Sequence, residues 1–484
     1  MNYTLRDYQS DGKDQLRQKI IEGFKKIIWW GMTGSGKGLS MPDLTKSLID
    51  NGKKVLVIMR RTDLIVQTNE NFIKYNGIHA SIIQGTRKID PCNPVQICSI
   101  DTIRNRIKKD NYNFLKEYDY VLVDEAHDTT SPSYDKFFTF MGDKFYIGFT
   151  ATPYTIGGKP LAFWETYVKP IEAHELRDRG YLSPARVYVP AKIDTKGIKK
   201  FSGEFNNHEL FKVVSDLKIV GDIVETWKKL GDNRPTVLFA VNKAHAQLMS
   251  HAFNEAGIPS TFRDESHSPS ERMQAKKDLI SGKIKILCNV MIFSTGWDCE
   301  EIGTLIMARP TMSLVLYIQQ CGRGLRVNKQ YDDCIILDHA GNSIERFGLP
   351  YDEHEANIGD GKEKGKNNSG DLDPKFTIKE CPDCSAVLER SAKSCIYCGA
   401  DVTASIREVE HDEGELVEYS AKKFAFERMK RRLDQLTSIG IAKGWKPNAK
   451  FFKMHKEFGD AIYKYELELG LPSWLKRMIE KGKK

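Results

Sequence analysis

Three groups of residues have types and spacings suited to chemistry. Gly31-Met32-Thr33-Gly34-Ser35-Gly36-Lys37-Gly38 follows the apolar run Ile27-Ile28-Trp29-Trp30 and precedes a segment that can be helical. Glycines let backbone N–H groups wrap phosphate oxygens, the next helix points its positive end at them, and Lys37 neutralises the outer phosphates. The stretch reads as a nucleoside triphosphate site contacted by Gly34, Ser35, Gly36, Lys37 and Gly38. One position departs from the pattern: the residue after Lys37 is ordinarily Ser or Thr, whose hydroxyl ligates Mg²⁺, and here it is Gly38. That departure bears on catalysis more than on binding.

The second group, Asp124-Glu125-Ala126-His127, follows the apolar run Tyr120-Val121-Leu122-Val123. This places two carboxylates at the carboxyl edge of a parallel sheet, where such sheets bind ligands. Asp124 is expected to hold Mg²⁺, directly or through water, and Glu125 to polarise an attacking water. The third group, Cys381, Cys384, Cys395 and Cys398, has C-x₂-C-x₁₀-C-x₂-C spacing. Two such knuckles bring four thiolates to one tetrahedral Zn²⁺ with no open position, so a structural zinc ribbon is expected. The remaining six cysteines (Cys92, Cys98, Cys288, Cys299, Cys321, Cys334) lie in apolar contexts and read as reduced packing residues.

These groups need elements to hold them. Short apolar runs at 27–30, 54–59, 95–98, 119–123 and 145–149, separated by helical or polar stretches, predict a parallel sheet covered on both faces. A second series at 186–189, 236–240, 284–288, 304–307 and 334–337 predicts another. The expected organisation is an α/β lobe over 1–175, a second over 176–345, a linker at 346–376, the ribbon at 377–402, and an acidic connector with a basic helical tail over 403–484.

The 484 residues carry a net charge of +8, and residues 421–484 hold 17 Lys and Arg against 7 Asp and Glu, so the basic character belongs to the tail. There Lys430-Arg431-Arg432, Trp445-Lys446 and Phe451-Phe452-Lys453 interleave cations with aromatics, a composition that suits a nucleic-acid backbone and exposed bases and equally suits amphipathic helices. No apolar run of membrane-spanning length and no secretory h-region is present. An intracellular, cytoplasmic protein is expected.

With the first two motifs in place, residues 1–340 resemble the two-lobed core of superfamily 2 helicases and translocases, close to phage DNA helicases and the double-strand translocases of restriction enzymes. The resemblance implies two tandem RecA-like lobes. Leu5-Arg6-Asp7-Tyr8-Gln9 resembles the adenine-recognition motif, in which Gln9 reads the base edge and Arg6 lies against it. Arg60-Arg61-Thr62-Asp63-Leu64-Ile65-Val66-Gln67 resembles a strand-backbone motif, and Thr150-Ala151-Thr152-Pro153 the motif linking hydrolysis to strand movement. In the second lobe, Ser294-Thr295-Gly296-Trp297-Asp298 and Gln319-Gln320-Cys321-Gly322-Arg323-Gly324-Leu325-Arg326 resemble the fifth and sixth motifs. Asp298 is thereby assigned to the nucleotide side, and Gln319, Arg323 and Arg326 to catalysis. Arg323 and Arg326 are three apart, which on a helix projects both guanidiniums from one face toward the γ-phosphate.

The resemblance implies ATP as substrate, alternating closure of the lobes, and phosphate contacts from Arg60, Arg61, Thr102, Arg104 and Thr295. The expected activity is ATP-dependent movement on, or remodelling of, duplex or branched DNA. Two other readings stand beside it: a nucleotide-gated nucleic-acid binder with weak or no hydrolysis, suggested by Gly38, and an RNA helicase.

Overall fold

A computed structural model describes residues 4–60, 64–108, 110–155, 160–189, 193–195, 197–201, 204–291, 299–359, 378–381, 386–389, 392–395 and 397–402, with residues 433, 437, 450, 451 and 453 of the tail. Met1–Ile406 and Arg407–Lys484 are two separate compact units.

The first lobe is built on seven strands: β1 (Lys26–Trp30), β2 (Val55–Met59), β3 (Ser81–Ile83), β4 (Val95–Ser99), β5 (Tyr120–Asp124), β6 (Phe145–Thr150) and β7 (Thr166–Val168). Their order is β3-β4-β2-β5-β6-β1-β7, and every pairing is parallel. Val55–Met59 and Val95–Ser99 are buried at every position, as strands with helices on both faces must be. One face packs Ile28, Leu56, Ile58, Val121 and Val123 against Phe137, Phe138 and Trp164; the other packs Ile27, Trp29, Val57, Ile97 and Leu122 against Leu16, Leu44 and Phe72.

The second lobe contains β8 (Ala185–Tyr188), the two-stranded β9 (Lys200–Phe201) and β10 (Glu204–Phe205), then β11 (Thr236–Phe239), β12 (Ser260–Arg263), β13 (Ile286–Asn289), β14 (Thr304–Met307) and β15 (Cys334–Leu337). Its main sheet has the order β12-β13-β11-β14-β15-β8, all parallel. All ten strand runs expected from sequence appear. The short strands β3, β7 and β12 were not among those expectations.

Three features differ from the sequence reading. The cysteine module does not stand apart: β16 (Ile378–Glu380) and β17 (Val387–Glu389) continue the second sheet, β17 pairing antiparallel with β8 through Val387 and Val187. The Tyr397 hydroxyl also donates to the Ala185 carbonyl of that strand.

The stretch taken as a linker begins packed. Phe347, Leu349 and Tyr351 are buried in the second core, and the chain then returns to the first lobe, where Leu161 N donates to Asn357 O (2.8 Å) and Asn357 N to Pro153 O (3.0 Å). These side chains are apolar or aromatic, and the run without any apolar residue that reads as linker starts only near residue 359. The remainder of the linker lies outside the described residues. Finally, Cys92 is exposed, whereas the other five cysteines read as core are buried. The helical spacing expected in the tail lies almost wholly outside the described residues. Among the described residues no helix is long and apolar enough to cross a membrane.

Candidate active site

The register of the first sheet brings its motifs together. β5 neighbours β6, which neighbours β1, so Asp124 at the end of β5 pairs with Phe149, and Thr150 at the end of β6 pairs with Trp30. The phosphate loop leaves β1 one residue later, and Gly31 N donates to Thr150 O at 3.0 Å. Three carboxyl ends of adjacent strands thus meet at one edge.

The loop's shape needs glycine at two places. Gly34 (φ +90°) and Gly36 (φ +81°) adopt a left-handed backbone, and a Cβ on Gly36 would lie 2.5 Å from Gln9 Nε2. Gly36 caps the helix Lys37–Asp50, whose first N–H groups open toward the loop. Gln9 ties this loop to the N-terminal helix Asp7–Ile21: its Oε1 accepts from Arg6 N (2.9 Å) and its Nε2 donates to Gly36 O (3.2 Å). The Tyr8 hydroxyl donates to the carbonyl of buried Ser35 (2.8 Å). Arg6 donates to that hydroxyl (3.0 Å) and stacks 4.1 Å above the Tyr181 ring. Gly38 is different: a Cβ there meets nothing within 4 Å, so the missing side chain leaves open space beside Lys37.

Lys37 Nζ donates to the carbonyls of Gly31 (2.6 Å) and Met32 (3.2 Å). Burial lowers its pKa, Glu125 and Asp124 oppose that shift, and Arg323 and Arg326 reinforce it. Asp124 is pushed up to about 7, chiefly by burial and then by the Glu125 charge, with Lys37 opposing. A divalent cation would relieve two adjacent acidic groups held this way, so the donor set fits Mg²⁺, with Asp124 as its holder. Glu125 has φ 53°, ψ 55°, a left-handed conformation uncommon for a residue with a side chain and typical of sites held by their surroundings.

In the second lobe the helix Leu314–Gly324 carries Gln319 and Arg323, both buried. It ends before Arg326, with Leu325 as its cap, so the spacing of three does not set both arginines on one helical face. Arg326 is positioned instead by the connection: Ser183 N donates to Leu325 O and Ser183 Oγ to Arg326 O, both at 2.9 Å. Burial lowers the Arg326 pKa. Gly322 abuts the phosphate loop, since a Cβ on it would lie 2.5 Å from Thr33 Cβ.

His127 joins the two lobes. Its Nδ1 lies 3.0 Å from Thr150 Oγ1 and 3.3 Å from Glu125 Oε2, and its Nε2 lies 3.5 Å from Gln319 Nε2. This cross-lobe role, the Thr150 contact and the Gly322–Thr33 approach are not visible in sequence. The place of His127 in the Asp124-Glu125-Ala126-His127 motif is the available signal.

Arg60 and Arg104 are exposed and Thr102 is half-buried. Arg60 Nη1 donates to Asp128 Oδ2 (2.5 Å), Arg104 to Ser133 Oγ (2.9 Å), and Thr102 N to Ser99 Oγ (3.2 Å). Arg61, Thr295 and Asp298 lie outside the described residues, as does Cys384. The sulfurs of Cys381, Cys395 and Cys398 all lie within 4.8 Å of one another, with Cys381 and Cys398 3.6 Å apart. Tetrahedral Zn–S bonds of about 2.3 Å place sulfurs about 3.8 Å apart, so the three thiols fit such an ion.

Two family models match the chain: "Type III restriction enzyme, res subunit" over residues 2–155 and "Helicase conserved C-terminal domain" over 216–328. A "51.5 kDa protein" of a Lactococcus phage is 29% identical over 408 residues, covering 81% of this chain and 84% of that one. "Putative ATP-dependent helicase IRC3" of Saccharomyces cerevisiae is 28% identical over 360 residues, and this chain spans 52% of its length. Among solved structures, the fragment of a type I restriction enzyme's "putative HsdR subunit" from Vibrio vulnificus shares the fold. Its TM-score is 0.56 at 17% identity, over 71% of this chain and 65% of that one.

Proposed function

The chain belongs to helicase superfamily 2, and from that premise we propose that it couples ATP hydrolysis to movement along, or remodelling of, duplex or branched DNA. The observation that carries this reading is that the helix bearing Gln319 and Arg323 meets the nucleotide side of the first lobe directly, with Gly322 against Thr33 of the phosphate loop and Gln319 Nε2 3.5 Å from His127 Nε2. Lys37 and the loop amides bind the phosphates, with Arg6 and Gln9 at the base. Glu125 orients the attacking water, and Arg323 and Arg326 hold charge that develops on the transferred group. Mg²⁺ held by Asp124 would screen the phosphate charge. Gln319 and His127 link that site to the lobe contact, so closure and chemistry occur together. Loss of the γ-phosphate removes the anion that draws the arginines inward, the lobes part, and each lobe's hold on the strand alternates.

DNA is favoured over RNA because the Gln-x-x-Gly-Arg-Gly-x-Arg spacing stands beside a cysteine ribbon, and because the family description and a type I restriction enzyme endonuclease subunit among the relatives both name restriction enzymes. Phosphate contacts by Arg60, Arg61, Thr102, Arg104 and Thr295 would fix position without reading sequence. Cys381, Cys384, Cys395 and Cys398 are assigned a structural Zn²⁺.

ATPase rates with no nucleic acid, single-stranded DNA, duplex DNA, forked DNA and RNA test the reading. Stimulation by duplex or forked DNA above that by RNA is expected. Preferential stimulation by RNA would assign an RNA helicase, and ATP binding without turnover would assign a nucleotide-gated binder.

A further inference from the structure

Asp128 belongs to none of the roles above, yet it touches both ends of the site. Its Oδ2 accepts from Arg60 Nη1 at 2.5 Å and lies 3.7 Å from His127 Nε2. The Arg60 side chain is 56% exposed, the Asp128 side chain 17% and the His127 side chain 4%. The pair thus runs from solvent to a buried imidazole.

The two ring nitrogens of His127 face different partners. A neutral imidazole has one N–H to donate. The Thr150 hydroxyl donates to Thr152 O (3.2 Å), so at 3.0 Å from Nδ1 it receives from the ring. At the other nitrogen, the Gln319 amide nitrogen has only hydrogens to offer, so Nε2 accepts. With the ring neutral and its proton on Nδ1, that proton is shared among Thr150 Oγ1, Glu125 Oε2 at 3.3 Å and Thr152 Oγ1 at 3.5 Å. Asp128 Oδ2 faces a lone pair and gains nothing from the ring. Arg60 compensates its charge.

We propose that Asp128 is a positioning residue that reports occupancy of Arg60 by a nucleic-acid phosphate to His127, and through it to Glu125. The proposal rests on the DNA-directed reading above. An exposed ion pair is weak and easily exchanged. A phosphate that takes the Arg60 guanidinium leaves Asp128 without its cation, beside Nε2. The neutral ring answers by tautomerising: the proton leaves Nδ1 to solvent, one enters Nε2, and Nε2–H donates to Asp128, with no net charge gained or lost. Nδ1 then accepts from the Thr150 hydroxyl, which turns away from Thr152 O. Glu125 loses its share of the ring proton and becomes a fuller acceptor for the attacking water. Gln319 loses its acceptor on Nε2 and is freed toward the cleft. Without nucleic acid, the Arg60–Asp128 pair holds Glu125 in the less reactive arrangement.

The test compares ATPase with and without saturating duplex DNA in wild type, Arg60→Ala, Asp128→Asn, Asp128→Glu and the Arg60→Ala/Asp128→Asn double variant, with DNA and ATP affinities measured separately. Arg60→Ala frees Asp128 permanently, so its DNA-free rate should rise, by about fivefold, while its DNA affinity falls. Asp128→Asn should bind DNA within about twofold of wild type yet lose most of the stimulation, with Asp128→Glu restoring at least about half of it. The double variant should lose the rise seen in Arg60→Ala. A merely structural ion pair would lower rates in both single variants and raise neither. A wild type stimulated by DNA, together with an unraised DNA-free rate in Arg60→Ala and normal stimulation in Asp128→Asn, would overturn the coupling and leave the DNA reading standing. A wild type stimulated by no DNA would overturn both.

Discussion

The two lobes place their reacting groups by different means. In the first, Lys37, Asp124 and Glu125 sit where adjacent parallel strands end, so the register of β5, β6 and β1 fixes them before any ligand arrives. In the second, Gln319 and Arg323 ride on one helix and Arg326 lies past its end, and that helix meets the first lobe through contacts that include Gly322 with Thr33 and Gln319 with His127. A sheet edge is rigid, whereas a contact between lobes can open. This division suits one lobe to binding the nucleotide and the other to gating its hydrolysis.

The largest expected effect comes from the rigid half. Lys37→Ala removes the charge on the outer phosphates and should abolish measurable turnover while weakening ATP binding by at least about tenfold, since charged hydrogen bonds contribute about 1.5–3 kcal/mol. Equilibrium binding of a fluorescent ATP analogue, measured beside the ATPase rate, checks both.

The movable half should break differently. Gly322→Val drives a side chain into Thr33 and holds the lobes apart, so kcat should fall by about 10²-fold with ATP affinity little changed. Thr33→Gly in the same chain should restore part of the loss. Equal loss of affinity and turnover would mean that the contact shapes the phosphate loop rather than closure.

The ribbon sharpens the same contrast because it extends only the second sheet. Chelation, or Cys381→Ser, should raise hydrogen exchange across 378–402 and along β8, leaving β1, β5 and β6 protected. Metal analysis should find one zinc per chain, and its absence would remove the ribbon assignment.

The smallest effect is expected at Gly38. A Thr there meets open space, and its hydroxyl would add one ligand to an Mg²⁺ that otherwise takes water, so Gly38→Thr should raise kcat or lower the Mg²⁺ requirement by about two- to fivefold. Loss of ATP binding in this variant would contradict the loop geometry.

What sequence made legible follows the same division. Buried parallel strands are uninterrupted apolar runs, so β1, β2, β5 and β6 could be read directly, and with them the edge that carries Lys37 and Asp124. The short strands β3, β7 and β12 mix polar residues into three or four positions, as in Ser81–Ile83 and Thr166–Val168, and leave no such run. The spacing of Arg323 and Arg326 is legible, but the end of the helix between them is not, because the chain leaves the helix at Leu325, whose carbonyl is held by Ser183 N, a residue far away in sequence. Contacts between lobes left no periodic trace. Gly322 against Thr33, His127 against Gln319 and the return of 349–359 to Leu161 are long-range meetings that no local pattern encodes. Leu349 and Tyr351 show why the linker begins later than the polar composition suggests: a few apolar residues ahead of a polar run can be the last of a core.

The central claim is that the second lobe supplies charge to the transition state and not to ground-state binding. Arg323→Ala tests it most directly, with ATP affinity from equilibrium titration and kcat from DNA-stimulated turnover taken on the same preparation. The account predicts a loss of about 10³-fold in kcat with affinity within a few-fold of wild type. A kcat within about tenfold of wild type, or an affinity that falls as far as kcat/KM does, would contradict it.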